Sequence, residues 1–205
     1  GWFAFFTLVF AVIVSGCGNS GDRSASTPVE NIQASSTIGI SGGTVRVADP
    51  NSPIHGTRVD IPPGAVSEDT TLSIALPSAA AGRPLPGSLL SAGLQISFQP
   101  KDLQFSRPVS ITIPYNDEND DGLIDGTASP ETGVYALAFD EEAGLWLYAL
   151  KMSQDPSDKT MELLTDSFAI YAPAVDGANT VATSKVSIFT IDGLSFSKIF
   201  PGYSD

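Results

Sequence analysis

One cysteine, one histidine and ten basic residues are all that this 205-residue chain holds of the side chains from which most catalytic and nucleic-acid-binding sites are built. A single cysteine forbids an internal disulfide. The single histidine, His55, sits in the turn-rich stretch DPNSPIHGTR and reads as a surface-loop residue. There is no G-x-S-x-G elbow, no phosphate-cradling glycine loop and no histidine-rich zinc spacing. Ten Lys and Arg stand against 23 Asp and Glu, a formal net charge of -13. Such a surface repels phosphate backbones, which disfavours nucleic acid as a partner and suits cations and basic protein patches. Between residues 37 and 173 no segment keeps a helical period over about three turns.

What is present is a strand-forming pattern. Leu72, Ile74 and Leu76 alternate with Thr71, Ser73 and Ala75; Leu94, Ile96 and Phe98 alternate with Gln95, Ser97 and Gln99; Val109, Ile111 and Ile113 alternate with Ser110 and Thr112. A period of two puts one face of each segment in a core and the other in water. Weaker patterns predict strands at Thr44–Val47, Arg58–Ile61, Tyr135–Phe139, Leu145–Leu150 and Phe168–Ala172. Glycine and proline together, 19 and 15 residues, supply the turns. The expectation is an all-β chain, an antiparallel β-sandwich over residues 37–174. After it, 175–205 reads as a linker and a hairpin around Asp192-Gly193, a type I′ signal. That hairpin either pairs with the sandwich or opens a second domain that the sequence cuts short.

The N-terminal region carries an address. Trp2 to Val14 are thirteen residues, apolar apart from Thr7, about 20 Å as a helix and short of a hydrocarbon core of about 30 Å. The run reads as the apolar region of a secretory signal; with no initiator Met and no basic segment before it, the chain is expected to continue upstream. Val14-Ser15-Gly16-Cys17 resembles the bacterial lipobox, in which cleavage falls before a lipid-modified cysteine. The alternative is an incidental or buried cysteine behind a hydrophobic strand. The resemblance implies a signal peptide over 1–16, a lipid anchor on Cys17 and attachment to a membrane of the bacterial cell envelope. Gly18, where some bacteria place Asp to retain lipoproteins in the inner membrane, implies the outer membrane over the inner, with the domain periplasmic or surface-exposed. Residues 17–36, GNSGDRSASTPVENIQASS after the cysteine, read as a flexible tether.

Five segments carry a wider likeness: Gly42-Gly43 before a strand, VDIPPGAV at Val59–Val66, LQISFQPKDLQFSRPVSITIPY at Leu94–Tyr115, GLWLYAL at Gly144–Leu150 and TDSFAIYAP at Thr165–Pro173. In order and spacing, Gly42 to Pro173 resembles the ZU-five domain, the β-sandwich of ankyrins, netrin receptors and zonula occludens proteins. The family's eukaryotic members bind other proteins such as spectrin, so the resemblance implies a binding role. Some members cleave their own backbone at a His-Phe-Ser triplet; here Ser167-Phe168-Ala169 stands in that place, and Ala169 has no hydroxyl with which to attack. Trp146 and Tyr171 read as structural anchors.

The densest charge is DENDDGLID, with five carboxylates among residues 117–125. Asp117, Asn119 and Asp121 fall at positions 1, 3 and 5 of an EF-hand-like loop, Gly122 at 6, the Leu123 carbonyl at 7 and Asp125 at 9. The spacing also resembles dockerin and thrombospondin type 3 loops. Alternate oxygens converge on one cation, Gly makes the turn, and Ile124 packs inward. Position 12, which should bring a bidentate carboxylate, is Ala128, so calcium affinity is expected to fall to about 10⁻⁴–10⁻³ M. The alternative is a solvated acidic turn. Taken together, the sequence implies a non-catalytic, lipid-anchored binding or adhesion module of the cell envelope with a protein or glycan partner. A structural spacer in a longer surface protein is the second reading. A glycan-active enzyme is the third, because carboxylate pairs carry no local signature. Replacing Cys17 with Ser is expected to abolish incorporation of labelled palmitate in a bacterial host and to move the protein from the membrane to the soluble fraction. Unchanged labelling contradicts the anchor.

Overall fold

The computed structural model describes residues 30–78, 82–101 and 103–177; Cys17, the signal region and the hairpin at 186–200 lie outside these. Twelve strands form two antiparallel sheets. In chain order they are β1 (Asn31–Ile38), β2 (Gly43–Arg46), β3 (Arg58–Ile61), β4 (Thr70–Leu76), β5 (Leu89–Ser91) and β6 (Ile96–Gln99). Then come β7 (Gln104–Pro114), β8 (Tyr135–Asp140), β9 (Leu145–Tyr148), β10 (Leu150–Asp155), β11 (Thr160–Ser167) and β12 (Ile170–Asp176). One sheet runs β1-β4-β6-β12-β8-β9 with β5 paired to β12; the other runs β10-β11-β7-β3-β2. The chain is an all-β sandwich.

The alternating segments bury most of the faces their patterns assign, but Leu94 lies before β6 and is exposed, and Ala75 and Ser97, expected to face water, are buried. Leu72 and Ile74 of β4, Ile96 and Phe98 of β6, and Val109, Ile111 and Ile113 of β7 are all at most 1% exposed. Fully burying a side chain of this size contributes about 1.5–3 kcal/mol. At the centre, Phe98 meets Phe168 and Tyr171 at centroid distances of 5.6 Å each, and Phe105 meets Phe168 at 4.9 Å, edge to face. The buried Tyr171 hydroxyl is paired with Thr165 Oγ1 at 2.9 Å and donates toward Ser167 O at 3.1 Å, so the ring anchors the corner between β11 and β12. Trp146 is a half-buried edge anchor, packed on Phe139 at 5.2 Å with its indole N–H donating to Pro84 O at 2.9 Å.

Several boundaries differ from the expectation: β5 was not foreseen, β6 begins at Ile96 and β7 at Gln104, and four further differences have a clear cause. The sandwich begins at Asn31, inside the stretch expected to be tether, because β1 pairs with β4 from Asn31↔Leu76 to Ile38↔Thr70; its small polar residues suit an exposed edge and hide the alternation. The last strand runs to Asp176, past the expected end at 174. Leu145–Leu150 is not one strand: Ala149 donates its N–H to Ala136 O, and the chain steps there from one sheet to the other. β11 was not expected at all, since Leu163-Leu164 interrupts the period and Glu162 and Asp166 lower strand propensity; Met161 and Leu163 nevertheless face the core.

The Gly42-Gly43 pair has a steric reason. Gly42 lies at φ +72°, and a Cβ there would stand 2.3 Å from Ile61 O. Next to it Gly64 N–H donates to Ile40 O at 2.8 Å, which seats the IPPG turn on the β1–β2 turn. Gly144, at φ +67°, has open space around it. Gly144→Ala should therefore cost only the left-handed backbone term, about 1–2 kcal/mol, and Gly42→Ala more than that in urea unfolding. Equal losses would mean that the contact at Ile61 O relaxes freely.

Candidate functional site

The acidic loop connects β7 to β8 and so carries the chain from the five-stranded sheet to the seven-stranded one. Ile124 is fully buried beneath it, as the loop pattern requires. Asp117 is buried at its start, and its carboxylate accepts the N–H groups of Asp121 and Gly122, each at 3.2 Å. Asn119 Oδ1 accepts from Asp121 N–H and its amide nitrogen donates to Asp121 Oδ2 at 3.0 Å. Asp121 Oδ1 takes the N–H of Leu123 at 2.9 Å, and Asp125 Oδ2 takes that of Glu118 at 2.9 Å. Leu123 itself is bridged to Pro130. Asp117, Asn119, Asp121 and Asp125 thus each accept at least one backbone N–H of the loop.

A cation is nonetheless present, and it is a side chain. Lys159, at the start of β11, places its ammonium 3.1 Å from Asp117 Oδ2, in contact with Asp120 Oδ1 and 3.9 Å from Glu131 Oε2. Glu131 Oε2 in turn accepts the Tyr115 hydroxyl at 2.8 Å. Burial resists the charge on Asp117, but the hydrogen bond and charge of Lys159 and the two backbone N–H groups outweigh it and hold the carboxyl below its ordinary value. Lys159 is held above its own ordinary value, first by the bond to Asp120 and then, against some desolvation, by Asp117. Burial, helped by Glu131 against the pull of Gln154, pushes Tyr115 up to about 12. Among the described residues, no group of three or more His, Cys, Asp or Glu side chains is arranged to hold a metal ion. Asp117, Asn119, Asp121, Leu123 and Asp125 stand in one loop, in which Asp117 faces the Lys159 ammonium and the side chains at 117, 119, 121 and 125 each accept a backbone N–H.

Lys159 was invisible to local spacing because it lies far along the chain. The link is β11, whose Thr160 pairs with Pro114 while Tyr115 N–H donates to Lys159 O at 2.9 Å.

A second feature lies on the open side of the sandwich. Among the described residues β9 ends one sheet and β10 ends the other, and no further strand pairs with either edge. Leu145, Leu147, Tyr148, Leu150 and Met152 are each between 45% and 68% exposed there. Beside β9 opens a cavity of 450 Å³, lined in part by Leu147, Phe168, Ala169 and Tyr171 and by the charged Lys101, Asp140 and Glu141, and by no residue of β10. The Ser167-Phe168-Ala169 triplet thus belongs to this cleft, with Phe168 buried and Ala169 O accepting from Phe98 N–H.

Residues 34–124 match the family model of the ZU5 domain. This part of the chain is similar to a ZU5 domain. The match ends inside the acidic loop, and residues 125–177 complete the same two sheets by supplying β8 and β9 to one, β10 and β11 to the other, and β12 to the first. ZU5 domains are protein-interaction modules. A comparison with curated proteins finds no match.

The ion pair sets a pH signature. Asp117, whose folded pKa is depressed, contributes stability that is complete above its ordinary 3.8 and is lost as pH falls through the folded value. Lys159, whose folded pKa is raised, contributes stability that is complete below 10.5 and is lost as pH rises through its folded value. Lys159→Met is expected to lower the thermal midpoint at pH 7 and to flatten its fall between pH 5 and pH 2. Millimolar calcium should recover part of that loss in the variant and leave the parent unmoved. A calcium-induced rise in the parent contradicts closure of the loop by Lys159.

Proposed function

We propose that this chain is a non-catalytic binding module, held at the bacterial cell envelope through lipidated Cys17, with the outer membrane its site of attachment, that docks a protein along the edge formed by residues 145–152. The observation that carries the proposal is the run of five exposed large apolar side chains along two strand edges that no other described strand pairs. An exposed sheet edge offers a ladder of backbone donors and acceptors to an added strand. Contiguous apolar residues on such an edge are unusual on a monomer's surface and mark docking sites. The ZU5 family's general role in protein interaction supports the same conclusion. The lipobox after an apolar run supports the anchor, since each acyl methylene placed in the bilayer contributes about 0.8 kcal/mol.

Catalysis on a glycan finds no support in the carboxylates that share the outer face of the five-stranded sheet. Hydrogen bonds from Ser157 and the backbone hold Asp155 below its ordinary value, and the hydroxyls of Ser110 and Ser153 do the same for Glu162. Glycoside hydrolysis needs one carboxyl kept protonated to serve as acid. Calcium at the acidic loop is a further reading of the same module, in which the ion would take the place of the Lys159 ammonium and stiffen the corner.

The full chain, expressed in its host with a photo-crosslinking residue in place of Tyr148, is expected to give a discrete protein adduct on irradiation. The same residue in place of the exposed Glu68, on the β3–β4 loop, should not. Leu147→Asp in the Tyr148-substituted chain should reduce the adduct about tenfold, as for loss of a buried interface anchor. Identical patterns at both positions, or none at position 148, contradict docking at this edge and leave a spacer.

A further inference from the structure

The outer face of the five-stranded sheet carries a row of side chains that crosses every strand. Arg46 stands opposite Arg58, Arg58 opposite Thr112, Thr112 opposite Glu162, and Glu162 across the β10–β11 pair from Ser153. With neighbouring strands about 4.8 Å apart, the row is roughly 19 Å long. It lies along a groove of 340 Å³ that also takes in His55 and Asp155.

Charge is distributed unevenly along this groove. Arg46, His55 and Arg58 gather at the β2–β3 end, and Glu162 and Asp155 at the β10–β11 end. Like charges directly opposite on paired strands repel, and Arg46 makes no ion pair among the described residues although the chain holds more than twice as many acids as bases. Arg58 engages Asp60 through Nε at 2.9 Å, which leaves its terminal nitrogens for another acceptor. Glu162 is fixed at the other end by Ser110 Oγ at 2.5 Å and Ser153 Oγ at 3.0 Å. A plain anion placed at the arginines would also face Glu162 and Asp155. A ligand with opposite charges at its two ends satisfies both.

The strands bearing Arg58 and Glu162 are two spacings apart, about 10 Å. An extended chain advances about 3.3–3.6 Å per residue, so the ends of a tripeptide match that separation. No Trp, Tyr or Phe lines the groove, which removes the stacking surface that a sugar ring would use. We propose that this groove binds a short zwitterionic peptide, its carboxylate on Arg46 and Arg58 and its ammonium at Glu162 and Asp155. The site does not depend on docking at the 145–152 edge.

The test is a nuclear magnetic resonance titration of the full chain in detergent with triglycine, followed at the Arg46 and Arg58 side-chain signals. Saturable shifts are expected. Arg46→Ala, a change at an exposed position, should weaken binding about tenfold, as for loss of a hydrogen bond between charged groups, while leaving the rest of the spectrum unchanged. N-acetyl-triglycine amide, which has the length without the charges, should not bind. Glycine, which has the charges without the length, should bind at least tenfold more weakly. The proposal is overturned by no saturable shift at the solubility limit of triglycine, by equal binding of the blocked peptide or of glycine, by indifference to Arg46→Ala, or by inorganic phosphate binding as tightly as triglycine.

Discussion

The contact between the Lys159 ammonium and the buried Asp117 carboxylate ties together the parts of this sandwich that sequence-local forces leave apart. Asp117 opens the connection that carries the chain from the five-stranded sheet to the seven-stranded one, and Lys159 opens β11 after the chain has crossed back. Without a partner, a carboxylate with no exposed surface would either protonate or pull the loop outward into water. Paired, it accepts two backbone N–H groups from the following turn and fixes the loop's curvature. Tyr115 and Glu131 extend the same network to the strand on one side and the short 3₁₀ turn on the other.

That corner determines what the flank of the molecule presents. The acidic loop delivers β8 to the seven-stranded sheet, β9 follows it at the edge, and Ala149 turns the chain into β10 at the edge of the opposite sheet. A single run of sequence thus forms the outermost strand, or rim, of both sheets. The apolar residues at 145, 147, 148, 150 and 152 are exposed because no further strand lies beyond either rim among the described residues, not because their side chains suit water. The exposed edge of β1, at the far end of the seven-stranded sheet, carries Ser, Thr and Gln with a single exposed large apolar residue, Ile32. Polar edges discourage pairing with another chain, and apolar ones invite it.

The sequence revealed the sheets more readily than it revealed their neighbours. Leu72, Ile74, Val109, Ile111 and Ile113 could be assigned to the core because alternation is a local property that burial on one face imposes. β12 resists that treatment, as IYAPAV is buried on both faces. The neighbouring strands β8 and β9 are in turn contacted by the segment 82–88, with Arg83 over Phe139 and Pro84 O accepting from Trp146. The acidic loop was legible as chemistry, and Ile124 and Gly122 occupy the roles their spacing assigns. Its counter-ion was not, because Lys159 reaches it through a strand register that no local pattern specifies. The same holds for Arg46, Arg58 and Glu162, which are distant in sequence and become neighbours only through pairing across four strands.

The most direct test of this account is an experimental structure of the domain determined in the presence of millimolar calcium. The account predicts Lys159 Nζ within hydrogen-bonding distance of Asp117, the Asp121 and Asp125 carboxylates turned to the N–H groups of Leu123 and Glu118, and no cation in the loop. A calcium ion ligated by Asp117, Asn119, Asp121 and the Leu123 carbonyl, with Lys159 displaced into solvent, would contradict it.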